Sequence, residues 1–94
     1  MLYLFAWDPA KAAENLRKHG VSFDEGTEVF GDPLALNMPD PTHAAREERF
    51  LVLGLSRSSR LLVVSYAERG PRTRLISARL ASRAERRRYE EELP

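Results

Sequence analysis

Apolar and polar positions alternate along the chain in two rhythms. Leu2 to Ala6 is a short apolar run suited to a buried strand. From Pro9 to about Lys18 the spacing becomes helical, with Ala12, Ala13 and Leu16 as the expected inward stripe. Asp8 is a good N-cap, Pro9 suits the first helical position, and Gly20 suits the position just past the end. Ser22 and Glu25 spell a capping box for a second helix carrying Phe23, Val29 and Phe30 and ending at Gly31. Pro33, Pro39 and Pro41 then restrict the stretch from Asp32 to Ala45 to a short edge strand near Leu34 to Met38, the rest reading as a mobile connector.

Beyond it the rhythm is that of strands. Arg49 to Leu55 and Leu61 to Tyr66 read as a hairpin joined by Ser56 to Arg60, and Thr73 to Ala78 as a further strand after a turn at Gly70-Pro71. Ser82 and Glu85 form another capping box, which opens a last helix running to about Leu93. The predicted fold is α+β, one domain over residues 1–94. Two N-terminal helices pack on one face of an antiparallel sheet of about four strands, and a C-terminal helix follows. The other sheet face is open or only partly covered by the last helix, which makes it the place for a ligand.

Ninety-four residues allow a modest core but no deep enclosed pocket. Without cysteine there are no disulfides, no thiol catalysis and no cysteine-based zinc site. The apolar start breaks off at Trp7-Asp8, too short for a signal peptide or a membrane span, so a cytoplasmic protein with no membrane contact is expected.

The net charge of +1 conceals an asymmetry. Residues 1–45 carry three basic and seven acidic groups, whereas residues 46–94 carry twelve arginines and seven glutamates, with no lysine. Arginine grips phosphate bidentately and stacks on bases, which points to nucleic acid. A GC-rich coding sequence, or a merely solvated helix face, would give the same composition.

Several blocks carry a resemblance. They are W-D-x2-K-x3-N-x2-K-H-G-V-x-F from Trp7 to Phe23, V-F-x-D-P from Val29 to Pro33, and E-R at Glu48-Arg49. To these is added R-L-I-S-A-R-x-A-S-x-x-E from Arg74 to Glu85, followed by Tyr89. In this order, over nearly the whole chain, they resemble the BrnT family of toxins. Gly26 departs from the pattern where a helix-favouring alanine is usual, and so does the proline-rich segment from Pro39 to Pro41.

The resemblance implies a RelE-like fold and an endoribonuclease that blocks translation. It also implies a ribbon-helix-helix antitoxin, held in a 2:2 heterotetramer, with which the toxin represses its own operon; operator DNA is met only through that partner.

RNA cleavage by 2′-hydroxyl attack needs a base, cations for the phosphorane charge and a donor for the leaving 5′-oxygen. It leaves a 2′,3′-cyclic phosphate. No carboxylate cluster has clear metal-ligand spacing, so neither a metal nor any other cofactor is expected.

Arg74 and Arg79 are the candidates for the scissile phosphate, with Arg49 in support. Positions 74 and 79 point to opposite faces of a regular strand, so one site needs the strand to end or bulge between them. The competing reading makes one of them a structural partner, perhaps of Glu85. Lys18 and His19 are the candidate base and acid, or else dipole partners in the last turn of the first helix. Tyr89 is a candidate for base stacking or packs its ring on the sheet, and Arg83 and Arg86 on the same helix would add phosphate attraction. Trp7 and Asn15 read as structural, the first wedging a helix on the sheet and the second bonding nearby backbone. His43 reads as a surface residue. The alternative to a nuclease is a non-catalytic RNA- or protein-binding module of the same shape, and, less favoured, a structural subunit that touches no nucleic acid.

Overall fold

A computed structural model describes residues 3–41 and 48–94. Leu2, at the start of the first predicted strand, and the Thr42 to Ala45 end of the connector, with His43, lie outside the described residues.

The first helix, α1 (Pro9–His19), follows strand β1 (Leu4–Ala6). The Asp8 carboxylate accepts from the Ala10 amide at 2.9 Å, and Gly20, at φ +68°, returns its amide to the Leu16 carbonyl. A side chain at that φ would be strained, which is why the helix stops at glycine. The buried side of α1 differs from the predicted stripe. Ala13 is exposed and Leu16 is 51% exposed, whereas Asn15 is buried and Ala12 packs against the core. A polar residue sits inward because the sheet offers it backbone partners.

Helix α2 (Phe23–Glu28) runs into a single 3-10 turn at Val29–Gly31. Ser22 caps the Glu25 amide, but the expected box stays half made, since the Glu25 side chain is engaged elsewhere. Gly26 lies against the sheet, where an added Cβ would meet Ala78 Cβ at 3.3 Å. The gain in helix propensity from alanine would be offset by crowding there.

The remaining strands are β2 (Leu36–Pro39), β3 (Phe50–Leu55), β4 (Leu61–Arg69) and β5 (Arg72–Leu80), and helix α3 (Arg83–Glu91) closes the chain. The sheet order is β1-β5-β4-β3-β2. Among the described residues it has five strands rather than about four, and it is not wholly antiparallel, because β1 pairs with β5 in parallel. The β4–β5 hairpin is longer than predicted: Gly70, at φ +57°, makes a tight turn that lets Arg69 pair with Arg72.

One face of the sheet, with Val52, Leu62, Val64, Leu75 and Ala78, packs under α1 and α2 with Val21, Phe23 and Val29. Trp7 meets Phe23 edge to face at 5.8 Å and packs against this core. The opposite face carries Leu53, Leu61 and Val63, which are covered by Tyr89 of α3. No helix among the described residues is long and apolar enough to cross a membrane.

The β3–β4 turn is held down mainly by one carboxylate, with Glu28 Oε1 also accepting the Arg57 amide at 3.0 Å. Glu25 Oε2 accepts from Ser56 Oγ (2.8 Å), Ser58 Oγ (3.0 Å) and Arg60 Nε (2.9 Å), and Arg60 also reaches the Gly20 carbonyl. The Arg60 hydrogen bond, against the cost of burial, holds Glu25 well below its ordinary 4.5, at about 2. A carboxyl with a lower pKa folded than unfolded stabilises fully above pH 4.5, and the contribution is lost as pH falls toward 2. Glu25→Gln should therefore cost about 2 kcal/mol at neutral pH, after discounting for solvent, and flatten the loss of stability on acidification. Thermal midpoints taken from pH 7 to pH 2.5 check this; a wild-type midpoint that stays level below pH 4 would count against it.

Candidate nucleic-acid interface

Arg74 and Arg79 stand on β5, and the ladder to β4 explains how they relate. Val63 pairs with Arg79 and Ser65 with Ser77, but the next pair is Tyr66 with Leu75, and Ala67 then pairs with Arg74. Ile76 is the extra residue of a β-bulge. The bulge shifts the side-chain phase by one, so Arg74, Ser77 and Arg79 all share the face of Val63, Ser65 and Ala67. Without it the two arginines would lie on opposite sides of the sheet.

Arg49 precedes β3. Phe50 pairs with Tyr66 and Leu51 with Ser65, so Arg49 shares Leu51's side of the sheet. The backbone amide of Asp40 donates to the Arg49 carbonyl at 3.0 Å and holds the two residues side by side. Arg49 and Arg79 line one cavity of about 280 Å³, with Asp40, Ser65 and Ser77 between them. Arg74 is on the same face. Its partner Ala67 is four residues from Val63, the partner of Arg79, a separation of about 13 Å along the strand.

The three guanidinium groups differ in their engagement. Arg49 Nε is buried with no hydrogen-bond partner among the described residues. An unmatched buried donor is costly and is a natural grip for an incoming oxygen anion. Arg74 is half-buried and makes no ion pair among the described residues. Arg79 is paired end-on with Glu85, at 2.8 and 2.9 Å, and keeps 40% of its side chain exposed. The Arg79–Glu85 pair is the structural partnership that the sequence raised as the competing reading. It coexists with a place in the cavity.

The other expected site residues fall elsewhere. Lys18 (exposed) and His19 (half-buried) end α1, which packs Ala12 on the opposite face of the sheet and bonds the β5 backbone at Ala78 through Asn15. They do not line the arginine cavity, so this cavity does not bring them together with Arg49 and Arg79. Arg83 and Arg86 are exposed on α3, outside the cavity lining.

Tyr89 is buried at 4% exposure against Leu53, Leu61 and Val63, which leaves no ring face for a base. Its hydroxyl donates to Asp32 Oδ2 at 2.6 Å. Burial, and then this bond, push the Tyr89 hydroxyl up to about 12. Burial works to raise Asp32, but bonds from Tyr89 and from the amides of Leu55 and Leu34 outweigh it and hold the carboxyl below its ordinary value. Tyr89→Phe should therefore cost about 2 kcal/mol, read as a lower urea midpoint, and leave RNA cleavage by the folded protein unchanged. A large loss of cleavage with stability intact would instead return Tyr89 to the substrate.

Sequence reasoning did not find Asp40, Ser65 and Ser77. The one available signal was Pro39-Asp40-Pro41, an acid between two prolines at a strand end. The serines read as ordinary outward strand positions until the register is known.

A family model described as a ribonuclease toxin, BrnT, of type II toxin-antitoxin systems matches residues 7–85. That span includes Arg49, Arg74, Arg79 and Glu85. Among solved structures the fold is similar to the 1.1 Å crystal structure of the Brucella abortus ribonuclease toxin BrnT, with a TM-score of 0.63. The two are 24% identical, over 87% of this chain and 100% of that one, so this likeness bears on the fold. No curated protein sequence matches. With a family model covering most of its length and an agreeing fold, the chain belongs to the BrnT family of ribonuclease toxins of type II toxin-antitoxin systems.

Proposed function

We propose that the arginine-lined cavity is the phosphodiester site of a metal-independent endoribonuclease. The observation that carries this reading is the bulge at Ile76, which turns two arginines of one strand, five residues apart, onto the face that Arg49 shares. In the proposed reaction the substrate 2′-hydroxyl attacks the adjacent phosphorus. The 5′-oxygen leaves and takes a proton from solvent water, giving a 2′,3′-cyclic phosphate and a 5′-hydroxyl end. Arg49 and Arg79, with Arg74 along the strand, bear the charge that grows on the phosphorane oxygens. The Asp40 carboxylate, on the wall of the same cavity, receives the 2′-hydroxyl proton. This assignment replaces Lys18 and His19 in that role, because neither lines the cavity.

The toxin is neutralised by its antitoxin. The proposed partner is a ribbon-helix-helix protein in a 2:2 complex that represses the shared operon, with the toxin meeting operator DNA only through it. The site of action is the cytoplasm, where RNA cleavage halts translation.

The test is incubation of purified, antitoxin-free protein with RNA in the presence of EDTA, with the new ends mapped. Cyclic phosphate and 5′-hydroxyl ends are expected, and a requirement for added metal would overturn the proposed chemistry. Binding that weakens with salt at a log–log slope of about −2, as three phosphate contacts on a single strand imply, but without new ends, would favour the non-catalytic binding module.

A further inference from the structure

Arg79 has five N–H donors. Nη1 donates to Glu85 Oε1 at 2.8 Å and to its neighbour's carbonyl, Leu80 O, at 3.3 Å, while Nη2 donates to Glu85 Oε2 at 2.9 Å. The terminal edge of the guanidinium is thus closed. The Nε–H and the second Nη2–H, which together form the side edge, make no bond among the described residues. They constitute a second two-pronged fork of the kind that fits two oxygens of a phosphate.

Glu85 is itself anchored. Its Oε1 also accepts the Ser82 amide at 2.8 Å, and the Glu85 amide donates to Ser82 Oγ, so the carboxylate is built into the capping box of α3. Arg79 therefore touches a fixed carboxylate and not a swinging one. The contact also persists in acid: the Arg79 hydrogen bond, working against burial, holds Glu85 at about 2, and the same bond raises Arg79.

We propose that Glu85 is the positioning residue of Arg79, holding its terminal edge so that the side edge stands ready as a phosphate fork at the cavity. This inference rests on the cavity being the phosphodiester site. The carboxylate offsets part of the attraction of Arg79 for RNA, but Arg49 and Arg74 carry no such partner among the described residues. What Glu85 contributes is orientation. A long arginine already fixed in its working rotamer does not have to be ordered when substrate arrives.

Two variants separate this from a structural role. Glu85→Gln keeps one oxygen for the cap, and glutamine suits that helix position. It replaces the other oxygen by an amide that cannot accept from Arg79. Ser82→Ala weakens the cap and leaves the Arg79–Glu85 contact in place. Thermal midpoints and single-turnover cleavage of an RNA oligonucleotide over a range of protein concentrations are measured for both, beside Arg79→Ala.

Glu85→Gln should lower the saturating rate about tenfold, as a displaced catalytic group does, with half-saturation moved less than threefold. Ser82→Ala should keep the rate within about twofold at an equal or greater loss of thermal midpoint. A Glu85→Gln protein that cleaves at the wild-type rate or faster, while Arg79→Ala does not, overturns the positioning role and leaves the phosphate site standing. If Arg79→Ala itself cleaves normally, it is the phosphate site that fails.

Discussion

Arg79→Ala is expected to reduce RNA cleavage by about 10²- to 10³-fold, the loss seen when one preorganised donor to a transition-state oxygen is removed. Three features of the cavity set this size. Arg79 lines it with Arg49, its guanidinium is held in place by Glu85, and Ser65 and Ser77 provide a polar wall between the two arginines. Charge that develops on a phosphorane oxygen would meet a donor already oriented, with little reorganisation at the moment of reaction.

Arg79→Lys should recover only a small part of the loss, because an ammonium cannot hold Glu85 with one edge and phosphate with another. Arg83→Ala is the informative contrast. Arg83 is exposed on α3 and absent from the cavity wall, so its removal should weaken RNA binding slightly and change the cleavage rate less than threefold. Circular dichroism guards against the trivial outcome, since Arg79→Ala leaves Glu85 with its cap bonds but no counter-charge. Cleavage by Arg79→Ala at the wild-type rate would remove the catalytic assignment.

Asn15→Ala should cost about 3 kcal/mol of folding stability, a large share of the 5–15 kcal/mol typical of a small domain. The Asn15 amide group donates to the carbonyls of Val21 (2.9 Å) and Ala78 (2.8 Å), and its oxygen accepts the Ala78 amide at 3.1 Å. One side chain thereby joins α1, the loop after it and the strand that carries the arginines. Alanine would leave three backbone groups without partners in a place that water does not readily reach, since Asn15 is only 6% exposed. Urea unfolding measures the cost, and an unchanged midpoint would mean that water replaces the amide at no penalty. Asn15→Asp should be at least as harmful, because a carboxylate cannot donate to either carbonyl. Ala78 adjoins Arg79, so residual Asn15→Ala protein should also cleave more slowly than its folded fraction predicts.

How much could be read from the chain alone depends on how local each feature is. The ends of α1 were legible because Asp8, Pro9 and Gly20 act on backbone groups within a few residues. The same holds for the Ser82–Glu85 box and for the turn at Gly70-Pro71. Strand positions in β3, β4 and β5 followed from their β-branched and apolar runs, with errors only at the ends.

Pairing between distant parts was not legible. Three residues of β1 cannot announce that they will lie parallel to Arg72 to Arg74. Ser22 and Glu25 spell a capping box as well as Ser82 and Glu85 do, yet Arg60, thirty-five residues on, takes the Glu25 side chain. Leu16 looked like a core residue and Asn15 did not, because hydropathy cannot register unpaired backbone on an approaching strand.

The site divides in the same way. From its sequence this protein had its helix caps, its strand runs and its arginine-rich second half, features that act through neighbouring residues or through composition. The tertiary structure alone decided which arginines share a face, through one extra residue in the β4–β5 ladder. It also left Lys18 and His19 out of the cavity lining. The physical reason is that register belongs to two strands at once, and a shift of one residue moves every side chain beyond it to the other face.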